Sequence, residues 1–385
     1  MLEIIVLDDA RDFAALEEEW EDIYHDSPLA TPFQSWAWLY SWWEFYGESY
    51  KLRLITLRSG DLLVGLIPLM LERRWGFVRL LFIGTGPTDY LDVLVREGWE
   101  AEVSEAGVHA IKGLGSWRVA DLQQVRSEAA VWDLFRSWTG SRTHVWQESC
   151  PAIEVMPWDE LVGSLSKNQR STVRRALRRA EADGVSCEIA KPADVERAAR
   201  KLVAVSRERW EGSPLVGPEH WTQRFESYMV AAVRRMAARG LGGVSEFWRD
   251  GEVIISNFWV SGKGFLGTYM LGANQAALRR YQWSSLYIWD AMNIARSKNY
   301  SRLDLLRGEE PYKLRWASRV FPNHRLILGR NPVFWAPYGG YHTLRSRARR
   351  YANSEDAPQW IKDIKDGYRV LRNKVTQVRK RGLGA

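Results

Sequence analysis

Residues 304–313 read Asp-Leu-Leu-Arg-Gly-Glu-Glu-Pro-Tyr-Lys and join a short apolar stretch to a strongly polar one. The apolar part predicts a buried strand over 302–306, and the polar part predicts a loop over 307–313. The elements predicted around this stretch are helices at about 193–210, 219–239 and 283–298, and strands at 244–249, 252–260, 265–271 and 324–328. Asp250-Gly251 is typical of a tight hairpin turn between two of these strands. This order predicts a mixed α/β (α+β) fold.

The first part of the chain carries elements of the same kind. Ser35 can cap a helix that runs towards Gly47 and is aromatic around nearly its whole circumference. Such a helix must be largely buried or must line a cleft. The apolar runs 51–58 and 62–71 flank a Ser-Gly-Asp turn and predict a β-hairpin.

A capping box that starts at Ser166 predicts a helix from there to about Asp183. Arg170 and Arg174 are four residues apart and therefore share one face of this helix. Closely spaced arginines repel one another unless an anion or nearby carboxylates neutralise them. We therefore consider a substrate anion on this face, and equally a solvated face with partners such as Glu181.

Length, composition and cysteine content limit the class of protein. A chain of 385 residues suggests two or three domains, and no apolar run approaches the length of a membrane helix. Cys150 and Cys187 are the two cysteines, too few for a disulfide framework or a structural zinc site. The N-terminus lacks the basic and then apolar pattern of a secretory signal. The sequence therefore predicts a cytoplasmic protein.

Charge is distributed unevenly along the chain. Residues 1–150 hold 13 Lys/Arg and 24 Asp/Glu, whereas the remaining residues hold 41 and 23. Residues 341–385 alone hold 12 basic and 4 acidic side chains. A phosphorylated cosubstrate, RNA or the inner face of a membrane would each suit the basic half. Two solvated faces of unequal sign are the alternative.

The chain resembles the CelD/BcsL-type acetyltransferases, which are relatives of the Fem-type transferases. The most specific carrier of this resemblance is the block at 304–313. The further carriers are Phe33-Gln34-Ser35, Trp38, Trp42-Trp43, Gly65 to Leu69, Gly84-Thr85-Gly86, Asp89 to Val93, the arginine-rich helix after Ser166, Asp250 to Ile254, and Trp316. The resemblance implies two tandem GNAT-like (acyl-CoA N-acyltransferase) domains at 1–160 and 161–335, followed by a basic helical tail at 336–385.

The resemblance implies an acyl-CoA cosubstrate. GNAT domains hold the pyrophosphate on backbone N–H groups of a glycine-containing loop at a helix N-terminus. In this chain Ser284 occupies the position where the family usually has glycine. The implied cosubstrate-binding residues are Arg280, Tyr281, Gln282, Ser284, Ser285 and Arg307.

Acyl transfer to an amine requires a base, donors for the developing oxyanion and an acid for the leaving group. Asp304 and Glu310 are the predicted bases, with the adjacent Glu309 as an alternative to Glu310. Tyr312 is the predicted acid, and Lys313 can hold phosphate. An internal ion pair between Asp304 and Arg307 is the structural alternative. No spacing of His or Cys indicates a metal site.

Six further residues are predicted to bind substrate. Trp38 and Trp42 carry aromatic rings with a polar tip, which suit a cleft for a polar acceptor. Asp89 and Asp92 follow a glycine-rich turn, where simple turn capping explains them equally well. The remaining two residues are Arg170 and Arg174.

These observations support three hypotheses about function. The first is an N-acyltransferase that moves an acyl group, most simply acetyl, from acyl-CoA to an amino group of a sugar or related polar acceptor. Polysaccharide or cell-envelope synthesis would be its setting. The second is a Fem-like transfer from aminoacyl-tRNA to a cell-wall precursor. The third is a non-catalytic scaffold whose basic tail contacts anionic lipid or an assembly partner.

Overall fold

The computed structural model describes residues 2–74, 76–213, 216–353 and Pro358. The strands are β1 (Glu3–Leu7), β2 (Lys51–Ser59), β3 (Leu62–Arg74), β4 (Phe77–Phe82), β5 (Leu94–Val95), β6 (Val119–Arg126), β7 (Ser141–Glu154), β8 (Ser186–Ile189), β9 (Gly242–Arg249), β10 (Glu252–Gly262), β11 (Phe265–Ala273), β12 (Arg302–Asp304) and β13 (Arg319–Gly329). The helices are α1 (Ala10–Ala15), α2 (Glu17–Asp26), α3 (Trp36–Tyr46), α4 (Glu100–Gly113), α5 (Val131–Ser137), α6 (Trp158–Ser164), α7 (Lys167–Ala182), α8 (Val195–Trp210), α9 (Gln223–Ala238), α10 (Gln275–Arg280), α11 (Trp283–Ser297), α12 (Pro311–Trp316) and α13 (Pro332–Asn353).

Within the described residues, thirteen strands form one mixed sheet. Their order is β1-β2-β3-β4-β6-β13-β7-β12-β11-β10-β9-β8, and β5 pairs with β3. The pairs β4–β6 and β11–β12 are parallel, and the other pairs are antiparallel. The predicted mixed α/β fold class is confirmed.

The sheet continues across the predicted domain boundary at residue 160. Strand β7 precedes that boundary in sequence, yet it lies between β13 and β12, which both follow it. Strand β13 in turn pairs with β6. The two parts of the chain therefore share hydrogen-bonded strands, and the division into 1–160, 161–335 and 336–385 stays a prediction.

Helix α3 begins where the sequence predicts. The Ser35 side chain accepts a hydrogen bond from the Trp38 backbone N–H at 3.3 Å, which satisfies one of the unpaired donors of the first turn. The helix is buried as expected, and it packs against α9 through Trp38 and Tyr228, whose rings are 5.7 Å apart. The aromatic helix of the first part thus shares a core with a helix of the second part.

The predicted capping box of α7 is confirmed. The Ser166 hydroxyl accepts from the Gln169 N–H at 3.4 Å, and Gln169 Oε1 accepts from the Ser166 N–H at 3.2 Å. The helix ends at Ala182. It packs on α11 through its small apolar side chains and leaves its arginine face outward.

The segment predicted as a loop over 307–313 is partly helical. Helix α12 begins at Pro311, because proline fits the first turn of a helix, where its missing N–H is not needed. The strand predicted over 324–328 is the C-terminal half of the longer β13, which is paired on both sides. None of the helices in the described part of the chain has the length and apolar character that a membrane span requires.

The basic tail predicted over 336–385 begins inside α13, which continues to Asn353. Beyond Asn353 the structure describes Pro358 alone, so most of the predicted tail lies outside the described residues.

Candidate active site

A cleft of about 640 Å³ opens at the end of the shortest central strand. Strands β11 and β12 run parallel, and their last paired residues are Gly267 and Asp304. Strand β12 stops there, whereas β11 continues to Ala273. The residues of β11 beyond this point, from Thr268 to Leu271, line the cleft. The opening therefore results from two neighbouring strands of unequal length.

A β-bulge lies at the same place on β11. Phe258 pairs with Met270 and Trp259 pairs with Thr268, so that Tyr269 has no partner residue on β10. A bulge takes a residue out of the regular ladder and bends the strand. The hydroxyl of Tyr269 donates to the Pro87 carbonyl at 3.0 Å, which ties β11 to the glycine-rich turn of the first part.

Helix α8 forms another wall of the cleft because it approaches β11 closely. A Cβ atom at Gly272 would lie 2.4 Å from the Ser206 backbone nitrogen, so only glycine permits this approach. The close packing brings Arg209 to the cleft, where its guanidinium donates to the Leu271 carbonyl at 3.0 Å. Among the described residues no carboxylate forms an ion pair with Arg209.

An ion pair between a partly exposed arginine and a buried carboxylate lines the floor of the cleft. Arg307 Nε lies 2.6 Å from Asp89 Oδ1, and its guanidinium also donates to the Gly86 carbonyl at 2.6 Å. Burial raises the pKa of Asp89 to about 6, although Arg307 and Lys313 oppose the shift. A carboxylate with this pKa can accept a proton near neutral pH.

A second charged pair belongs to the start of α12. Lys313 Nζ lies 3.3 Å from Glu310 Oε2 and donates to the Arg307 carbonyl at 2.8 Å. Tyr312 of the same helix lines the cleft, and its ring contacts that of Trp283 in an edge-to-face arrangement at 4.8 Å. These two pairs and Tyr312 place two acids, two cations and a phenol at the inner end of the cleft, where Arg209 adds a third cation.

Aromatic and polar side chains form the opposite end of the cleft. Trp42 and Tyr46 stack with centroids 5.4 Å apart, and the Tyr46 hydroxyl donates to Glu219 at 3.0 Å. Arg224 contacts both Glu219 and the Tyr46 ring. Burial lowers the pKa of His220 to about 4, so its imidazole is neutral at neutral pH. This end offers hydrogen-bonding groups on an aromatic wall.

Comparison with known proteins identifies the part of the chain that carries most of this cleft. Residues 167–314 match the family model for an acetyltransferase (GNAT) domain. This region is a GNAT acetyltransferase domain. The match supports an acyltransferase enzyme, and it does not test the scaffold hypothesis, because a non-catalytic relative would match the same model.

Solved structures agree on the fold. The crystal structure of FemX has a TM-score of 0.60 at 11% identity, over 86% of this chain and 98% of that chain. The C-terminal domain of a putative lysylphosphatidylglycerol synthetase from Agrobacterium fabrum has a TM-score of 0.53 at 12% identity, over 86% and 97%. L-PGS from Bacillus licheniformis has a TM-score of 0.52 at 13% identity, over 82% and 93%. No curated protein matches the sequence. At these identities the likeness extends to the fold alone.

The start of α11 is the predicted position for the pyrophosphate of acyl-CoA. The Ser284 and Ser285 side chains are buried there, and their hydroxyls have no hydrogen-bond partner among the described residues. Gln282 at the N-cap makes no side-chain cap, so the first N–H groups lack that partner. Unpaired N–H and hydroxyl donors suit an anion by their chemistry, but Gln282, Ser284 and Ser285 are not among the residues that line the cleft. Trp283 takes up space beside them, because its ring lies 4.3 Å from the Arg209 guanidinium and stacks on Tyr287.

Two predicted cosubstrate residues face elsewhere. Arg280 forms an ion pair with Asp183 at the end of α7, and the Tyr281 hydroxyl donates to the same carboxylate at 2.6 Å. Their contacts hold the loop before α11 against α7. Neither residue lines the cleft of the GNAT domain.

Asp304, the first predicted base, lies behind the cleft. Its side chain is 1% exposed and accepts hydrogen bonds from the Tyr90 hydroxyl at 2.9 Å and from the Leu306 N–H at 2.8 Å. Leu306 has a left-handed backbone with φ of 58°, which is strained for a leucine. Burial raises the pKa of Asp304. The carboxyl group therefore holds the turn that carries Arg307, and its position argues against the predicted role of base.

The other residues predicted from sequence divide between the cleft and the core. Trp42, Asp89, Arg307, Glu310, Tyr312 and Lys313 line the cleft. Trp38 is buried, with its indole N–H bonded to Thr88 at 2.9 Å. Asp92 accepts three backbone N–H groups at 2.8 Å, as expected if this carboxylate caps a turn and does not bind substrate. Glu309 accepts from the Ser149 hydroxyl at 2.8 Å and is not part of the cleft lining.

Neither arginine predicted on α7 lines the cleft. Arg170 donates to the carbonyls of Gly163 and Leu165, at 3.0 and 3.1 Å. Arg174 is exposed on the outer face of the helix. Within the described residues, no group of three metal-ligating side chains is placed to hold an ion.

Sequence reasoning missed four polar residues of the cleft: Arg209, Glu219, His220 and Arg224. Each lies in one of the helices predicted at about 193–210 and 219–239, to which the sequence assigned no function. The adjacent Arg209 and Trp210 at the end of α8 are a weak local signal, since cation–π pairs also occur throughout protein structures without a ligand.

Proposed function

We propose that the protein transfers an acyl group from acyl-CoA to an amino group of a sugar or related polar acceptor. The observation that carries the proposal is the cleft that opens where β12 ends beside the longer β11. Asp89 is buried in the floor of this cleft, and Tyr312 lies at its side. The proposal includes the CelD/BcsL type and a role in polysaccharide or cell-envelope synthesis, which rest on the block at 304–313.

Bound acyl-CoA supplies a thioester carbonyl that is reactive towards amines. In the proposed mechanism Asp89 accepts a proton from the acceptor amine, since its pKa of about 6 leaves it ionised at neutral pH. The bulged backbone at Tyr269 donates to the carbonyl oxygen. The Tyr312 hydroxyl donates a proton to the leaving sulfur. Each of these groups belongs to the described cleft.

Cations at the inner end of the cleft suit the anionic part of the cosubstrate. Arg209 has no carboxylate partner among the described residues, and Lys313, which is paired with Glu310, also lines the cleft. The uncapped start of α11 is the phosphate position that the resemblance implies, and because Ser284 and Ser285 are buried outside the cleft lining, a phosphate there requires this end of the helix to open. At the other end, Glu219, Arg224 and neutral His220 support a polar acceptor, because each can hydrogen-bond to hydroxyl or amino groups.

The test is incubation of the full chain with acetyl-CoA and a panel of amino sugars, with thiol release and product mass as readouts. We expect turnover with at least one acceptor, and loss of CoA affinity by calorimetry in Arg209→Gln. The matched control is Arg178→Gln, an exposed arginine outside the cleft. Absence of CoA binding at millimolar ligand would refute the proposal.

A Fem-like transfer from aminoacyl-tRNA is the second candidate function. The arginines on the outer face of α7 favour it: Arg174, Arg175 and Arg178 are exposed and form no ion pair among the described residues. RNA binding through such contacts weakens steeply with salt. We would accept this candidate if charged tRNA, and not acetyl-CoA, supported transfer, and if Arg174→Gln reduced the salt dependence.

The proposed compartment is the cytoplasm. Cys150 and Cys187 are both free thiols, which fits a reducing environment. Oxidation of both thiols in protein isolated without reductant would contradict this assignment.

A further inference from the structure

Helix α13 lies on the sheet through one narrow face. Its Tyr338 hydroxyl donates to Asp121 at 2.6 Å, and Ser346 donates to the Trp146 carbonyl at 2.7 Å. His342 lies between them, 2.7 Å from Arg325. At about 100° per residue these positions fall within one third of the helix circumference. The rest of the helix is turned away from the sheet.

The opposite face of α13 is apolar and exposed. Val333 is 72% exposed, Tyr341 is 57% exposed and Leu344 is 68% exposed. With Pro337 and Ala348, which are also exposed, they fall within an arc of about 80°, roughly opposite the buried face. We call these five residues the outer stripe. A contiguous apolar stripe in solvent marks a surface that contacts another molecule.

Arginines border the outer stripe on both sides. In the helical projection Arg347 lies on one side and Arg345 on the other, and both are exposed. Residues 332–353 contain four arginines and no acidic residue. Among the described residues neither Arg345 nor Arg347 forms an ion pair. The helix therefore offers apolar side chains and unneutralised positive charge on the same surface.

The combination identifies the partner. A nucleic acid would use the arginines and gain nothing from the apolar stripe, and a second copy packed on this face would bring its own arginines against them, since residues 332–353 contain no acidic residue. A membrane surface uses both, because apolar side chains enter the acyl boundary while flanking arginines meet anionic headgroups. We infer that α13 docks the protein on an anionic membrane surface through the outer stripe and its bordering arginines. This inference does not depend on the proposed acyl transfer.

The experiment is flotation of the full chain with vesicles of phosphatidylcholine alone or mixed with phosphatidylglycerol. We expect binding to the anionic vesicles, and a loss of about tenfold or more in Leu344→Glu, since the buried apolar area sets the affinity. The matched control is Leu62→Glu, which adds the same charge to an exposed leucine of the β2–β3 hairpin, 43% exposed. It should bind as the wild type does.

The charge requirement is tested separately. The double change Arg345→Gln with Arg347→Gln should weaken binding to anionic vesicles about tenfold at low salt, and the effect should shrink as salt rises. Arg136→Gln, a 64% exposed arginine outside α13, is the control and should change nothing. Circular dichroism and thermal unfolding of all variants verify that they are folded.

Three results would overturn the inference. The first is equal vesicle binding by Leu344→Glu and the wild type. The second is absence of binding to anionic vesicles. The third is a wild-type dimer in light scattering that Leu344→Glu converts to monomer, since a second copy would then cover the stripe.

Discussion

Asp89 and Asp304 are buried aspartates that lie on opposite sides of the turn that carries Arg307, and their surroundings differ. Asp89 faces the cleft and pairs with Arg307, whereas Asp304 faces the interior and binds the Tyr90 hydroxyl and the Leu306 N–H. Burial raises the pKa of both. A raised pKa therefore does not distinguish a catalytic carboxylate from a structural one. The atoms that each carboxylate faces make the distinction, and substitutions at the two sites can test it.

The largest expected effect is on turnover at Asp89. Asp89→Asn should lower kcat/KM about 100- to 10,000-fold, because the variant has no base at the proposed position. Thiol release from acetyl-CoA measures it. Asp92→Asn is the matched control, since burial raises the pKa of Asp92 also to about 6 but its carboxylate accepts only backbone N–H groups outside the cleft. That control should lose stability and keep its turnover.

The next effect is on stability at Asp304. Asp304→Ala leaves the Leu306 N–H and the Tyr90 hydroxyl unpaired, which should cost about 1–3 kcal/mol in the free energy of unfolding by denaturant. Asp304→Asn keeps an acceptor oxygen for the Leu306 N–H, so its free energy of unfolding should be close to that of the wild type. If Asp304→Asn instead remained stable and lost as much turnover as Asp89→Asn, the base predicted from sequence would be correct.

The pH dependence of activity and of stability tests the role of Asp89 in two independent ways. Because the pKa of Asp89 is about 6, kcat/KM should rise with pH up to about 6 and then level off. The folded state binds this proton more tightly than the unfolded state does, so stability should fall as pH rises from about 4 to about 6. Asp89→Asn and Asp92→Asn should both reduce the fall in stability. A wild-type activity profile without a rise towards pH 6 would contradict the role of Asp89.

The smallest expected effect concerns the start of α11. Ser284→Ala removes a hydroxyl that has no partner among the described residues and should raise the KM for acyl-CoA about two- to tenfold. Ser284→Gly should reverse part of this loss, because the backbone then becomes accessible. Ser256→Ala, a buried serine of β10 with the same unpartnered hydroxyl, is the control. An unchanged KM in Ser284→Ala would place the phosphate elsewhere.

Local sequence signals predicted most of the elements but only part of the site. Ser35 and Ser166 predicted two helix starts correctly, because a cap depends on residues three positions apart. Four of the cleft residues in the block at 304–313 were predicted, namely Arg307, Glu310, Tyr312 and Lys313, because they lie close together in one recognisable motif. Arg209 and His220 were missed, since their role depends on the packing of α8 against β11 and not on their neighbours in sequence.

The sequence by itself determined the mixed α/β fold class, the helix caps and hairpin turns, and the resemblance to GNAT acyltransferases. These depend on side-chain periodicity and on contacts between residues close in the chain. Tertiary structure alone decided which aspartate faces the cleft, because Asp89 and Asp304 are 215 positions apart and meet at one turn only when β12 lies beside β11 and β7. It also decided which face of α13 remains exposed, since that depends on which face of the helix packs against the sheet.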